Sequence, residues 1–171
     1  MVFSVDSFPE VVVYCTQVVD SGEKWWIGST IMFLGEYRHS VDSKGRVFIP
    51  ARFRTVDNQR FFVNRGLDGG LSVFTEEGWS VYQDRINELD MMKKDARAFK
   101  RIAFANAAEG ICDKQGRINL PDHLMQKADI DKEVMIAGVS DHFEIWDIAR
   151  WEEYQREVSK RYEELAENLA Q

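Results

Sequence analysis

A glycine-centred motif occurs twice in this chain of 171 residues, and the repeat constrains the fold more than any other feature. The first copy, SVDSKGRVFIPARFR, spans residues 40–54, and the second, ICDKQGRINLPDHLM, spans 111–125. Asp113 follows Asp42 by 71 positions, and each aspartate precedes a Gly-Arg pair and a proline at the same spacing. Similarity that continues in order through strands and a helix indicates internal duplication of one supersecondary unit.

Each copy has the pattern of a hairpin, a short helix, two further strands and a longer helix. Gly45 supplies the positive φ that a tight hairpin turn needs. Pro50 and Pro121 can each open a helix, because proline has no N–H to leave unpaired in the first turn. Residues 61–74 align with 133–146 at a spacing of 72, which predicts strands RFFVNR and LSVFT joined by a turn at LDGG.

Apolar residues recur at helical spacing after the strands of both copies: Trp79, Tyr82, Ile86 and Leu89, and then Trp151, Tyr154, Val158, Tyr162 and Leu165. This pattern predicts amphipathic helices whose apolar stripe lies in the core or at a subunit interface. The Ala-rich, basic segment between the copies predicts a further helix that links and packs them. We therefore divide the chain into a first module over 32–82, a linking helix over 83–109, a second module over 110–154 and a C-terminal helix over 155–171.

Charge is distributed unevenly between the copies. The net charge of −7 excludes a surface that is basic throughout, but not a local basic face. Residues 32–65 contain seven basic and three acidic residues, whereas residues 105–148 contain four basic and nine acidic ones. The first copy is therefore suited to meet an anion, and the second is not.

No pattern of residues indicates catalysis, a cofactor or a metal site. The cysteines, Cys15 and Cys112, lie far apart without ligand spacing, which predicts two reduced thiols. The histidines are scattered: His39, His123 and His142. No phosphate-binding glycine loop is present. We therefore expect a protein that is not an enzyme. The absence of a long apolar stretch and of a basic amino terminus predicts a cytoplasmic location.

The first turn carries the residues suited to contact DNA. Lys44, Gly45 and Arg46 form its tip, with Arg52 and Arg54 at the start of the next helix. Arginine matches phosphate and the guanine edge, and a two-stranded element fits the major groove. Arg38 and His39, on the entering strand, are candidates for DNA or for a subunit contact. In the alternative interpretation Asp42 pairs with Arg46 or caps its own turn, and the other arginines lie on a solvated face.

From Met32 onward, MFLGEYRHSVDSKGRVFIPARFR and the second DKQGRINLP resemble the MraZ family of transcriptional regulators. The resemblance implies an α+β fold of two SpoVT/AbrB-type modules, arranged as a β-barrel pseudo-dimer of swapped hairpins with flanking helices. It further implies a ring-shaped homo-oligomer that binds G-rich direct repeats upstream of its own gene and represses its division and cell-wall operon. Such a protein would be associated with the nucleoid.

The family's DNA-contacting arginine falls on Arg46, and the neighbouring Lys44, Arg52 and Arg54 are then expected phosphate contacts. The second copy departs from this pattern, because its helix begins with Asp122 where the first carries Arg52. That departure favours a structural or assembly role for the second hairpin. The alternative function is a protein-assembly module that does not bind DNA, since AbrB-like hairpins also form the dimerising part of antitoxins.

Residues 1–31 precede the point at which members of that family normally begin, the equivalent of Met32. Trp requires the codon TGG and Gly requires GGN, so SGEKWWIG over 21–28 is encoded by G-rich DNA that recurs at close to one helical turn. We hypothesise that the start is assigned too early, that residues 18–28 are translated operator and that 1–31 is not part of the fold; an accessory strand is the alternative. Amino-terminal sequencing of the native protein would decide, since a start at Met1 would exclude the hypothesis.

Overall fold

The structure is a computed structural model that describes residues 32–54 and 59–169, so the predictions for residues 1–31, including Cys15, lie outside the described residues. The strands are β1 Glu36–Ser40, β2 Arg46–Phe48, β3 Arg60–Arg65, β4 Leu71–Phe74, β5 Ala108–Ile111, β6 Arg117–Asn119, β7 Glu133–Gly138 and β8 Phe143–Asp147. The helices are α1 Glu76–Asn87, α2 Lys94–Asn106, α3 Asp122–Lys127, α4 Ile148–Ser159 and α5 Tyr162–Leu169, with a 3-10 helix at Ala51–Phe53. This mixture of helices and antiparallel strands confirms the α+β class.

The two copies exchange strands. The strands form a six-stranded antiparallel sheet in the order β1-β7-β8-β4-β3-β5 and a separate two-stranded ladder of β2 with β6. In that sheet β1 of the first copy pairs with β7, and β5 of the second copy pairs with β3. The closed barrel implied by the resemblance stays a prediction.

The first motif forms the predicted tight turn around Gly45, but its two arms do not pair with each other along their length. Its arms β1 and β2 are joined by one isolated bridge between Val41 and Val47, and each arm forms its ladder with a strand of the second copy. The hairpins are therefore swapped, as the resemblance implied. A period-two pattern specifies a strand but not its partner, so the alternation alone could not reveal this.

The exchanged strands are related by a pseudo-twofold axis. At the centre of the large sheet Ser72 faces Glu144, while Leu71 faces Ile145 and Val73 faces Phe143. Ser72 thus pairs with its own counterpart, and Leu71 and Val73 each pair with the counterpart of the other. The β2–β6 ladder has the same symmetry about Val47 and Ile118.

The predicted spacing of 72 holds for β4 and β8 but not for β3 and β7. Val63 pairs with Val73, and the equivalent pairing in the second copy joins Ile136 to Ile145, so the counterpart of Val63 is Ile136 rather than Met135. The burial patterns of β3 and β7 agree with this shifted register. Two more residues separate Pro121 from the start of β7 than separate Pro50 from the start of β3, and the helix after the proline is longer in the second copy. A shorter turn before β8 then restores the spacing.

Aromatic rings from both copies meet in one core. Phe143 lies among Phe33, Phe53 and Phe61, with ring centroids 5.3, 5.2 and 5.7 Å away. All four rings are fully buried. Because three of them belong to the first copy and one to the second, neither copy completes this core by itself.

The longer helices differ in how many of their side chains are buried. The Thr75 hydroxyl caps α1 by accepting a hydrogen bond from the Gly78 N–H at 3.1 Å, and Trp79 and Ile86 are buried as predicted. The linking segment contains α2, which packs on β3 and on Trp79 through Phe104. It is not the single helix expected over 83–109, because α1 ends at Asn87, α2 begins at Lys94 and β5 already begins at Ala108. In contrast, α4 has no buried residue.

Two helix predictions need correction. After Pro50 the described helix is a 3-10 helix of three residues, and Arg54 is already extended, so the predicted helix is shorter than expected. The C-terminal segment, predicted as one continuing helix, is interrupted at residues 160–161 between α4 and α5. Pro50 predicted the first of these helices and helical spacing the second, but helix ends depend on local contacts that neither signal specifies.

Candidate nucleic-acid interface

Two equivalent turns lie side by side, and we call Asp42–Arg46 the first turn and Asp113–Arg117 the second turn. In the first, Asp42 Oδ1 accepts hydrogen bonds from the backbone N–H groups of Lys44 and Arg46 at 2.9 and 3.0 Å. Asp113 makes the same two bonds in the second turn. An aspartate at this position therefore satisfies the turn's own backbone, as Asx-turns do.

A glycine is required in each turn by the backbone. Gly45 has φ +73° and Gly116 has φ +80°, values that other residues rarely adopt. The N–H of each glycine donates to the carbonyl of the preceding turn aspartate, at 2.9 and 2.8 Å. The repeated D-x-x-G-R motif is thus explained by local structure in both copies.

The two turns share a cluster of four charges. Arg46 donates from Nε and Nη2 to Asp42 Oδ2 at 2.8 and 2.7 Å, and Arg117 donates in the same way to Asp113 at 2.9 and 2.7 Å. The crossing contacts are longer: Arg117 Nη1 is 3.4 Å from Asp42 Oδ2, and Arg46 Nη1 is 3.9 Å from Asp113 Oδ2. The alternative interpretation, in which Asp42 pairs with Arg46 and caps its turn, is thus correct for the contacts of Asp42.

These contacts shift the acidity of the aspartates. The side-chain hydrogen bond from Arg46 is the largest cause that holds the pKa of Asp42 far below its usual range, and the backbone N–H groups add to it. The equivalent bond from Arg117 lowers the pKa of Asp113 to about 2. The hydrogen bond to Asp42 also raises the pKa of Arg46. Both aspartates are therefore ionised at neutral pH. All four side chains remain partly exposed, so their ion pairs add little to the stability of the protein. We infer that the cluster mainly orients the two arginines.

Replacing Arg117 with alanine should raise the pKa of Asp113 from about 2 toward its usual value of 3.8, because the guanidinium hydrogen bond is the largest cause of the shift. A carboxyl group with a lowered folded-state pKa stabilises the protein above its unfolded-state pKa, and this contribution is lost as pH falls through the folded-state value. The variant should therefore lose less stability than the wild type between pH 4 and pH 2.

Carboxyl-carbon NMR titration measures the pKa of Asp113, and acid unfolding followed by circular dichroism measures the change in stability. Arg161→Ala is the charge-matched control, because Arg161 pairs with Glu164 on α5 and contacts neither turn. A pKa that stays near 2 in Arg117→Ala would show that the backbone donors alone hold the carboxylate.

The strand exchange places each turn beside the helix start of the other copy. The carbonyl of Gly45 accepts from the Leu120 N–H at 2.8 Å, and the carbonyl of Gly116 accepts from the Ile49 N–H at 2.9 Å. A side chain built on Gly116 would overlap the guanidinium of Arg54. Arg54 thus contacts the second turn, although its sequence position suggested the first.

The predicted site residues are therefore only partly brought together. Lys44, Gly45 and Arg46 lie together on the first turn, with Lys44 exposed. Arg52 is exposed on the 3-10 helix, whereas Arg54 lies against the second turn. The expectation that Arg54 shares the neighbourhood of Lys44 is corrected, because the crossing of β2 and β6 carries the first copy's helix across to the other turn.

The candidates on β1 have other partners. Arg38 forms an ion pair with Glu133 of the neighbouring strand at 2.6 Å, and its side chain is still largely exposed. The ring of His39 lies 5.5 Å from that of Phe48, and burial lowers the pKa of His39. The Arg54 guanidinium lies over the same Phe48 ring, 4.9 Å from its centroid.

Sequence reasoning missed Phe48 and Lys114 as parts of this surface. Phe48 is 37% exposed and is flanked by Arg54 and His39, and Lys114 is exposed in the second turn. To predict that both residues belong to this surface, one would need to know that the helix start of the first copy packs against the second turn.

Other features of the described residues lie outside this surface. A shallow hollow of about 530 Å³ lies between α4 and α5, and another of about 280 Å³ lies beside the turn between β3 and β4. Across the described ranges no group of three or more His, Cys, Asp or Glu side chains is placed to hold a metal ion. Burial raises the pKa of the Cys112 thiol. None of the described helices combines the length and apolar character that a membrane crossing requires.

Comparison with known proteins identifies one family, and its model matches both copies of the repeat. The family model described as "MraZ protein, putative antitoxin-like" matches twice, over residues 32–102 and 103–171. Proteins named "Transcriptional regulator MraZ" are similar over 138 residues: 48% identical in Moorella thermoacetica, 49% in Carboxydothermus hydrogenoformans and 44% in Ligilactobacillus salivarius. Each alignment covers 81% of this chain and 96% of the relative.

Proposed function

This chain belongs to the MraZ family, and from that membership we propose that it is a transcriptional regulator that binds double-stranded DNA through its two turns. The observation that carries the proposal is the pair of adjacent Asp–Arg turns surrounded by the exposed cations Lys44, Arg52 and Lys114. Exposed lysines and arginines supply the phosphate contacts that position a protein on a duplex.

Arg46 is proposed as a direct DNA contact. A guanidinium has five N–H donors, and Asp42 engages Nε and Nη2 on one edge. The carboxylate thus orients the planar fork, and the remaining donors can meet a phosphate or the O6 and N7 atoms of guanine. Lys44, Arg52 and Arg54 would add phosphate contacts. Arg38 and His39 are weaker candidates, because the Arg38 guanidinium already pairs with Glu133 and the His39 ring packs on Phe48.

The finer proposal concerns the operator and the assembly. We propose that the protein binds G-rich direct repeats upstream of its own gene, represses its division and cell-wall operon, and acts as a ring-shaped homo-oligomer at the nucleoid. Neighbouring subunits on successive repeats would raise the effective concentration at each next site, so weak single contacts would give tight, salt-sensitive binding overall. The proposed module boundaries, 32–82 and 110–154, place one turn in each module.

Arg46→Ala should weaken binding to the protein's own operator by roughly tenfold to a hundredfold, the discrimination that one bidentate arginine provides. A gel shift measures this on a duplex that contains the DNA upstream of the gene and the codons of residues 18–28. Arg46→Lys, which keeps the charge and loses the fork, should fall in between. Failure of the wild-type protein to shift the duplex would contradict the proposed function.

Two controls separate a lost contact from a disturbed turn. Arg161→Ala removes the same charge from the residue before α5 and should leave the shift unchanged. Asp42→Asn keeps Arg46 but removes the charge that orients it. Asp42→Asn should therefore weaken binding less than Arg46→Ala, and an unchanged shift in Arg46→Ala would contradict a contact by Arg46.

The alternative function, a protein-assembly or antitoxin-like module that does not bind DNA, is favoured by a different surface. The apolar stripe of α4 and α5 is not buried by residues 32–54 and 59–169, and Tyr154, Val158 and Leu165 line the hollow between these helices. An amphipathic stripe left uncovered is suited to a protein partner. A stable complex with another protein, without any shift of operator DNA, would support this function.

A further inference from the structure

A basic side chain of the first copy, that of Arg54, lies against the turn of the second. We propose that the second turn, together with Arg52 and Arg54, forms the end of the molecule that makes most of the contacts to the DNA phosphate backbone. This inference rests on the proposed function and adds to it which of the two turns makes the stronger contact. It reverses the expectation that the second hairpin has a structural or assembly role.

The pseudo-twofold axis allows a direct comparison of the two turns. Arg54 and Met125 occupy equivalent positions, four residues after Pro50 and Pro121. The guanidinium of Arg54 lies against Gly116, whereas the Met125 Cε atom lies 3.4 Å from the position of a side chain on Gly45. The same backbone site thus carries a cation at the second turn and an apolar thioether at the first.

Charge follows the same asymmetry. Besides Arg117, the second turn has two exposed or half-exposed cations, Lys114 within it and Arg54 against Gly116, and neither has a carboxylate within ion-pair distance among residues 32–54 and 59–169. The first turn carries the exposed Lys44, and the helix that follows its partner Leu120 begins with the exposed Asp122. A phosphate therefore meets one more cation at the second turn than at the first.

Arg54 is held in place before any ligand arrives. Its Nε donates to the carbonyl of Ile49 at 2.8 Å, and its guanidinium lies over the Phe48 ring. These contacts fix the plane of the guanidinium, and its Nη1 atom lies against Gly116 of the second turn. A fixed cation loses less rotamer entropy on binding than a free lysine would.

The experiment compares matched variants of the full-length protein on operator duplex by fluorescence anisotropy at several salt concentrations. Lys114→Ala and Lys44→Ala remove the same charge from the two turns. Arg54→Met gives the second turn the side chain that the first turn already has. We expect Lys114→Ala and Arg54→Met each to weaken binding several-fold and to reduce the salt slope by about one per bound chain. Lys44→Ala should change binding less.

The outcomes separate this inference from the proposed function. A larger loss in Lys44→Ala than in Lys114→Ala, or an equal loss in both, would overturn the inference while DNA binding itself stands. No binding by the wild-type protein would overturn the proposed function, and the inference with it. As a second measurement, Met125→Arg should strengthen binding if a cation at this backbone site contacts phosphate. Circular dichroism melting of each variant verifies that the fold is retained.

Discussion

Expressed alone, residues 32–107 should not fold as a monomer. Each strand of the first copy forms a ladder with a strand of the second: β1 with β7, β2 with β6, β3 with β5 and β4 with β8. Without these partners the hydrogen-bonding groups of several strands would be unpaired, and an unpaired edge is prone to association. The isolated copy would also lack Phe143 at the centre of the aromatic core.

Two folded states remain open to the isolated copy, and both require a second chain. The pseudo-twofold pairing around Ser72 and Glu144 allows a second molecule of the first copy to take the place of the missing one, which would give a swapped homodimer. Addition of residues 108–171 should instead restore the native pairing. Circular dichroism and sedimentation across a range of concentrations measure both processes. A folded monomer of residues 32–107 would contradict the strand exchange.

Local features of the turns could be predicted from the sequence because they depend on neighbouring residues alone. Asp42 caps its own turn and Gly45 has a positive φ, and both follow from the motif itself. Strands β3 and β4 lie where alternating apolar and β-branched residues placed them, and α3 begins directly after Pro121. These predictions needed no knowledge of which elements meet.

Contacts between the copies could not be predicted in this way. The swap of β1 and β2 came from the family resemblance, since alternation leaves the partner strand undefined. The position of Arg54 on the second turn follows from that swap, so it was misplaced by assuming that sequence neighbours share a surface. The shifted register of Val63 and Ile136 depends on the lengths of the segments between each proline and the next strand. The prolines do not predict those lengths.

The repeated arginines show the same difference between features that are local to one turn and contacts that join the two copies. What the copies share, the Asp–Arg pair in each turn, forms one cluster between them. What they do not share, Arg54 against Met125, makes the two turns chemically different. Comparison of the copies therefore separates the part of the motif that folds the turn from the part proposed to bind DNA.

Phe143→Ala should lower the free energy of unfolding by about 3–5 kcal/mol, the usual cost of removing a buried phenylalanine ring. The ring is fully buried and contacts three aromatic rings of the first copy, so its loss leaves a cavity where the two copies meet. In a chain of this size such a loss corresponds to a fall in Tm of roughly 6–20 °C. Chemical denaturation followed by tryptophan fluorescence measures the free energy.

A matched pair of variants distinguishes this effect from a general loss of aromatic residues. Phe99→Ala removes a ring that is 39% exposed on α2 and should cost less than about 1 kcal/mol. Phe143→Leu keeps most of the apolar volume and should fall between the two. Since Phe143 joins the copies, its loss should weaken β4–β8 pairing and the β2–β6 ladder in a single cooperative transition. Two separate transitions in Phe143→Ala would instead show that the copies unfold independently, which the exchanged strands exclude.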